Sequence, residues 1–489
     1  MDFFLSDKDK RKYELLKTIS EYPSIEMRRI KDHLKISSTS IRRFLREINQ
    51  ELAEVFLKHT ISIRLSDTGY SLTSNKIPNS FLLDSMKLFY IKQSNEFNIL
   101  NALITKRYAS VNQLSLKINI SPSHLYKYVK RIRVFLSRFK LDINFSDNNT
   151  GNSNLAGTEI DKLYFLNVYF WEIYKAVEWP TFLSDTHQIY NTATLSSFQE
   201  KRINYISSVS KHPTIKNRKL TTDSDLKEIF NIFQKFNDTV TSGVPKTPIE
   251  NFFIRLFIPE FDSDLNKLQI AQLARELKNN KIVSLSTIFL NSLFESYQVF
   301  PTESQYNACF YHSLVIHIFL KYVNIDFFSP LENCPRVSEL TTEDLSFVEL
   351  EKSLFQFYEE LTTQNKNYSI QVSNANLIYM VNFCYFILDY CTETKKVNIY
   401  IEFSKNIFST QMLKKNLLGI FGHDNIELTD SQLQADIILT DFSQEGMEQE
   451  KICHFENPYS HGSWTNALLV ITSMLYKKKG FVNNFAIQN

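Results

Sequence analysis

The 489-residue sequence predicts a mainly α-helical, multidomain protein that ends in a small α/β domain. Three observations carry this. Glycine is scarce, with 9 in the chain against 40 phenylalanines, and abundant Leu, Ile, Phe, Lys and Glu favour helices over all-β folds. Apolar residues recur at helical spacing almost throughout residues 166–390. After residue 395 the pattern changes to short alternating runs between helical ones, the order expected of a small parallel sheet.

The same composition excludes several classes of function. With 43% hydrophobic and 22% charged residues, the chain has the means to bury a core. It contains no GxGxxG and no GxxxxGK[ST], so an enzyme that cradles a nucleotide in such loops is excluded. The five cysteines, Cys309, Cys334, Cys384, Cys391 and Cys453, are odd in number and form no CxxC pair, unlike a disulfide framework. The N-terminal MDFFLSDKDKRKYELL lacks the basic-then-apolar order of a signal peptide. The longest apolar stretches, such as Leu377–Leu388 with Asn382 inside it, are too short to span a bilayer. A cytoplasmic protein without a membrane partner is expected. No cofactor and no metal are expected either: His423-Asp424 and His454 with His461 lack zinc-ligand spacing.

Charge is unevenly distributed. The whole chain is +2, yet residues 1–140 hold 26 Lys and Arg against 13 Asp and Glu, and residues 141–489 hold 29 against 40. A basic segment joined to an acidic remainder predicts a nucleic-acid-binding portion. Within it, Leu15, Leu16 and Ile19 mark a first helix, and Ser24 is positioned to cap a second that buries Ile30 and Leu34. After Lys35-Ile36, the run Ser37–Ser40 opens a third helix with Ile41, Leu45 and Ile48 inward. Its free side offers Ser38, Thr39, Ser40, Arg42, Arg43 and Arg46. This is the order of a helix-turn-helix, whose second helix enters the DNA major groove. Arginine bridges guanine edges, while Ser and Thr serve bases or phosphate. ISIRLSDTGYSLT at 61–73 reads as a hairpin wing in which Ile61, Ile63 and Leu65 alternate, Asp67–Gly69 supplies the turn, Tyr70 and Leu72 alternate again, and Arg64 is placed for a phosphate.

The plan recurs. Phe97, Leu100 and Ile104 mark a helix, and Val111, Leu114 and Ile118 a shorter one. In SPSHLYKYVKRIRVFLSRF, Ser121 is the expected N-cap and Pro122 the first helical position. Leu125, Val129, Ile132 and Leu136 form the buried stripe. Ser123, His124, Tyr126, Lys127, Lys130, Arg131 and Arg133 are left for DNA. Leu141, Ile143 and Phe145 suggest a second wing turning at Asp147–Gly151, and residues 101–140 contain no acid at all.

These tandem units, followed by NLAGTEIDKLYFLNVYFWEIY at 154–174, resemble the Mga and AtxA class of Gram-positive transcriptional regulators. Gly157, Glu159, Phe170, Trp171 and Tyr174 are the most specific local match. The resemblance implies winged helix-turn-helix domains at 1–75 and 80–165. It further implies two helical domains at 166–290 and 291–393 similar to those phosphorylated by the sugar phosphotransferase system, and an EIIB-like α/β domain at 394–489. It implies a global regulator of virulence, sugar use and stress genes that binds double-stranded DNA and forms a homodimer or larger oligomer. The phosphocarrier protein HPr enters as a further partner.

For phosphorylation, the resemblance points to His312 in YNACFYHSLVIHIFLKY, which also contains His317. In the first helical domain the chain departs from its relatives: TIKNRK puts Arg218-Lys219 where they carry a histidine, and His212 is out of register. His187 has no distinguishing context. In the C-terminal domain Val397, Ile399, Ile401 and Phe403 predict a strand, Gln411–Phe421 a helix, 435–442 and 452–455 further strands, and Ser463–Tyr476 a closing helix capped by Ser463. The EIIB phosphocysteine has no counterpart in the loop 402–409, where only Ser404 and Ser409 stand, and Cys453 reads as a buried small hydrophobe. No catalytic residue is therefore assigned, and the domain reads as a dimerisation surface. Two alternatives are an RNA-binding antiterminator and a phosphotransferase component. The first requires a β-rich N-terminal domain where residues 1–60 are helical by pattern. The second requires the missing cysteine and a membrane permease region.

Overall fold

The computed structural model describes residues 2–74, 77–145, 152–175, 177–183, 195–215, 223–236, 247–258, 260–325, 345–364, 372–392, 396–403, 409–441, 451–455 and 460–478. These form a mainly helical protein with a small parallel sheet near the C-terminus, as the composition predicts. Packing divides the chain into two units, one of residues 1–284 with 311–334, the other of 285–310 with 335–489.

In the first unit, α1 (Asp7–Ser20), α2 (Met27–Leu34) and α3 (Ser38–Val55) precede a hairpin of β1 (Ile61–Ser66) and β2 (Gly69–Ser74). Ser24 does not cap α2. Ile25 instead pairs with Tyr70 of the wing, its N–H to the Tyr70 carbonyl at 2.9 Å, and this keeps the chain extended until Glu26. That added strand requires Gly69, whose φ is +124° and whose absent Cβ would lie 2.4 Å from the Ile25 carbonyl oxygen. Ile61 and Ile63 of the wing are buried, whereas Leu65 near the hairpin tip is 68% exposed.

A helix not foreseen, α4 (Asn79–Gln93), links the two repeats. Its Tyr90 hydroxyl donates to Glu51 of α3 at 2.6 Å, and Lys12 of α1 binds the same carboxylate at 2.5 Å while lying over the Tyr90 ring. Then follow α5 (Asn95–Thr105), α6 (Val111–Ile118), α7 (Pro122–Ser137) and a pair of two-residue strands, β3 (Asp142–Ile143) and β4 (Leu155–Ala156). The second wing is thus much shorter than the first. Its predicted turn at 147–151 lies outside the described residues.

Asn154 does the work of the missing ladder. Fully buried, its amide accepts from Tyr108 N–H and donates to the Tyr108 and Asn144 carbonyls, each at 2.8 Å. An Asn154→Leu variant is expected to lose about 2–4 kcal/mol, because it strands buried backbone groups without replacing their partners; an unchanged urea midpoint would contradict this.

The N-terminal turn Asp2–Phe4 packs on this second repeat. Phe3 stacks on Phe135 at 4.7 Å, and Phe4, 1% exposed, meets Phe97, Phe135 and Tyr169 edge-on. Helices α8 (Glu159–Tyr174), α9 (Ser197–Ser210), α10 (Ser224–Lys235), α11 (Pro248–Phe257) and α12 (Asp264–Arg275) follow in the same unit. Their starts are written in the sequence: Thr158, Ser196, Asp223, Thr247 and Ser263 each accept a backbone N–H at the N-cap, and Gln199 and Glu250 close capping boxes.

The residues that carried the family resemblance have structural duties here. Gly157 adopts φ +148°, and a Cβ there would lie 2.4 Å from the Leu141 side chain. Glu159 pairs with Lys162 at 2.9 Å, Phe170 and Tyr174 are buried, and Trp171 covers the Arg202 guanidinium at 4.5 Å. Arg202 is sandwiched against Phe257 on its other side, and burial pushes it down to about 9. Deeper still, Arg255 and Asp262 form a fully buried ion pair at 2.7 and 3.0 Å, and the Tyr311 hydroxyl donates to the same carboxylate at 2.6 Å.

The chain passes between the units within α13 (Lys281–Tyr297) and α14 (Glu303–Ile318), so Asn291 lies inside a helix. Helix α14 ends in a widened π turn, Phe319–Val323. In the second unit α15 (Leu345–Gln364) and α16 (Asn374–Cys391) pack Phe357, Tyr358 and Phe383 around Phe289. The C-terminal part is a four-stranded parallel sheet in the order β6 (Ile426–Leu428), β5 (Val397–Glu402), β7 (Ile437–Thr440), β8 (Ile452–His454). Every residue of β7 is buried, as a strand covered on both faces requires. Helices α17 (Ser409–Phe421) and α18 (His461–Lys478) pack Leu413, Leu417, Ala467 and Ile471 into its core. Strand β6 was not foreseen. The cap of α18 is Ser460 rather than Ser463: its hydroxyl accepts the Ser463 N–H.

Candidate nucleic-acid interface

The two N-terminal repeats superpose in sequence register. Met27–Leu34 and Val111–Ile118 are both eight-residue helices, and each starting and ending pair stands 84 positions apart. Each ends in a left-handed residue at the same offset, Lys35 with φ +52° and Asn119 with φ +54°. Helices α3 and α7 begin at Ser38 and Pro122, again 84 apart. The same offset relates their buried residues: Ile41, Leu45, Ile48 and Leu52 correspond to Leu125, Val129, Ile132 and Leu136. Leu34, at the end of α2, is only half-buried.

The exposed faces correspond as well. Thr39, Arg42, Arg43 and Arg46 follow the i, i+3, i+4, i+7 spacing of one helical face, and all are exposed. At the equivalent positions on α7 stand Ser123, Tyr126, Lys127 and Lys130, all exposed too, with His124 beside them. Ser38 and Ser40 are half-buried, and Ser40 engages the N-cap, its N–H donating to Ser37 Oγ at 3.2 Å. On α3 two of the acidic side chains are turned towards α1, where Glu47 pairs with Lys8 at 2.9 Å and Glu51 with Lys12, and the third, Glu54, is exposed in the last turn. The N-terminal half of α3 is left wholly cationic. Arg64 is exposed on the wing, its Nε donating to Ser62 Oγ at 3.1 Å.

Two arginines differ in partner from the sequence reading. Arg131, equivalent to Glu47, pairs with Glu96 of α5 at 2.5 Å and lies over Phe3. It ties α7 to α5 as Glu47 ties α3 to α1, with the charges reversed. Arg133 holds the second wing through the Ile143 carbonyl at 2.7 Å and Asp142 at 3.3 Å. Its equivalent, Asn49, holds the first wing through Ile63 N–H at 2.7 Å and Ile63 carbonyl at 3.0 Å. Sequence reasoning missed Arg28 and Arg29, exposed on α2 of the first repeat. The 84-residue register, which matches them to Asn112 and Gln113 of α6, was the signal available.

The histidines lie elsewhere. His312 is half-buried on α14. Burial and Lys267 push its imidazole down to about 4, against Glu260 and Asp264, which pair with that lysine at 3.1 and 3.7 Å. His317, fully buried against Ser313, is pushed down to about 3, and buried His212 to about 4. The lysine run at 216–219 and His187 lie outside the described residues, as does the loop 404–408. Cys453 is buried while its neighbour His454 is exposed, as opposite faces of a strand demand. Among the described residues no three His, Cys, Asp or Glu gather as a metal site.

All three depressed histidines bind a proton in the unfolded chain at about pH 6.5 that the folded chain refuses until about pH 4 or below. Their contribution to stability is present above about pH 6.5 and is lost as pH falls through that window. The urea midpoint is expected to drop between pH 7.5 and 5, and to drop less in a His317→Gln variant; equal midpoints at both pH values would contradict the assignment.

Among the described residues, no helix is long and apolar enough to cross a membrane. No curated protein matches the chain. Residues 79–170, which span α4 to α7, the short wing and most of α8, match the family model of the Mga helix-turn-helix domain. The chain therefore carries an Mga helix-turn-helix domain over residues 79–170.

Proposed function

We propose that the protein is a transcriptional regulator of the Mga type that lays both α3 and α7 on double-stranded DNA. The observation that carries this reading is the repeat: two helix-turn-helix units in one register present exposed cationic or hydrogen-bonding side chains at the same four positions. In the first unit Thr39, Arg42, Arg43 and Arg46 meet the groove, with Ser38 and Ser40 at the helix start, and Arg28, Arg29 and Arg64 add phosphate contacts. In the second, Ser123, His124, Tyr126, Lys127 and Lys130 take the corresponding places, and Arg131 acts through its tie to α5.

The remaining domains, 166–290, 291–393 and 394–489, serve regulation and self-association in this reading. His312 is the acceptor for a phosphoryl group delivered by an HPr-like carrier. Neutral at pH 7, its imidazole is a competent nucleophile, and a phosphoryl group there competes with Glu260 and Asp264 for Lys267. The C-terminal α/β domain holds two copies together.

Sedimentation of the full chain with and without a ~40 bp duplex, across a salt series, tests the core of this. A dimer that binds duplex with a steep salt dependence is expected. A monomer indifferent to DNA at low salt would overturn it, and preference for a hairpin RNA would redirect it to antitermination.

A further inference from the structure

Two helices of the second unit bring a pair of thiols together. Cys309 lies on α14 and Cys391 is the last residue of α16, and their Sγ atoms are 3.6 Å apart, in van der Waals contact. They are separated by 82 positions in the sequence. Both are buried, but Cys391 retains 7% exposure against 1% for Cys309, and its neighbour Tyr390 is 46% exposed. One turn before Cys309, Gln305 donates Nε2–H to the Tyr390 carbonyl at 3.1 Å, fixing the two helices in register beside the pair. The other described cysteines have different surroundings: Cys384 is fully buried two turns earlier on α16, and Cys453 faces Asn466 in the α/β domain.

The geometry points to Cys309 and Cys391 as a dithiol modification site that hydrogen peroxide converts into an intramolecular disulfide. A disulfide needs its sulfurs at about 2.05 Å, so the atoms must close by about 1.5 Å, within the reach of side-chain rotation at two such neighbours. Cys391 is the attacking thiol because it is the more accessible of the two. Its thiolate attacks one peroxide oxygen; the O–O bond breaks, leaving Cys391 as a sulfenic acid and releasing hydroxide. The Cys309 sulfur then attacks the sulfenic sulfur, the S–O bond breaks, and water leaves with the Cys309 proton. The two thiols are oxidised by two electrons and the peroxide is reduced to water. The bond so formed staples α14, the helix that carries His312, to the end of α16, from which the chain continues to β5.

The test uses the reduced full-length chain. It is treated with near-stoichiometric hydrogen peroxide, its remaining thiols are alkylated in denaturant, and its peptides are mapped without reduction. A linked pair containing Cys309 and Cys391, three alkylated cysteines out of five and full reversal by dithiothreitol are expected. In a Cys309→Ser variant the Cys391 sulfenic acid has no resolving partner and is expected to be trapped by dimedone, whereas Cys391→Ser leaves Cys309 unreactive. Both cysteines alkylated after peroxide, a linkage between two chains, or a linkage through another cysteine would overturn the proposal. The mapping of the unaltered chain decides the matter even if a variant fails to fold.

Discussion

Replacing Arg42 and Arg43 together with alanine is expected to weaken duplex binding by at least tenfold and to lower the slope of log affinity against log salt by about 2. Both are exposed on the face of α3 opposite its core, and the acidic residues of α3 stand apart from them: Glu47 and Glu51 pair with α1, and Glu54 lies in the last turn, three turns away. An arginine bridging a guanine edge is worth roughly 1–3 kcal/mol of discrimination against the wrong base. The loss should therefore depend on the sequence of the duplex. A double change on α7, Lys127 and Lys130 to alanine at the positions equivalent to Arg43 and Arg46, should weaken all duplexes alike, since an ammonium is a point charge that suits phosphate without reading bases. Titration of both double variants against two unrelated duplexes separates these outcomes. Unchanged affinity and slope in the Arg42/Arg43 variant would remove α3 from the interface.

Asp262→Ala is expected to cost about 3–5 kcal/mol, a large part of the ~5–15 kcal/mol that holds a typical domain folded. The substitution leaves the Arg255 guanidinium charged in a fully buried place and takes the acceptor from the Tyr311 hydroxyl. Asp262→Asn keeps an acceptor for Tyr311 but not the charge, so an intermediate loss is expected. Urea unfolding followed by tryptophan fluorescence and by circular dichroism measures both. A midpoint within error of the unaltered chain would show that the pair is balanced by its desolvation cost and contributes nothing net.

The reading of the sequence succeeds where a local rule is decisive. Helix starts at Ser37, Ser121 and Pro122, the buried stripes of α3 and α7, and the strands at 397, 437 and 452 follow from caps and periodicity that no distant contact overrides. It fails where tertiary partners decide. Ser24 looks like a cap until Tyr70, 46 positions later, claims Ile25 for the wing. Arg131 and Arg133 look free on a helical wheel, yet Glu96, Asp142 and the Ile143 carbonyl take them. Helix α4 was missed because it has little amphipathic pattern; Leu82, Ser85, Met86, Lys87, Leu88, Tyr90 and Ile91 are all buried on several sides at once. Of the interface, the cationic face was legible from residue types and spacing. The separation of groove-facing from core-bracing arginines required the ion pairs.

The Phe3–Phe4 contact also has a consequence in time. Phe4 rests on Tyr169, which follows it by 165 positions. At a synthesis rate of ~5–20 residues per second, the chain takes on the order of ten to thirty seconds to make the last wall of the pocket that shelters those two rings. Once Ser74 is made, for the later part of that interval, the first repeat has all its own residues, but Phe4 of the aromatic turn ahead of it still lacks Tyr169. A nascent chain halted before α8 thus displays two adjacent phenylalanines, a handle for hydrophobic-binding chaperones that disappears once Tyr169 is in place.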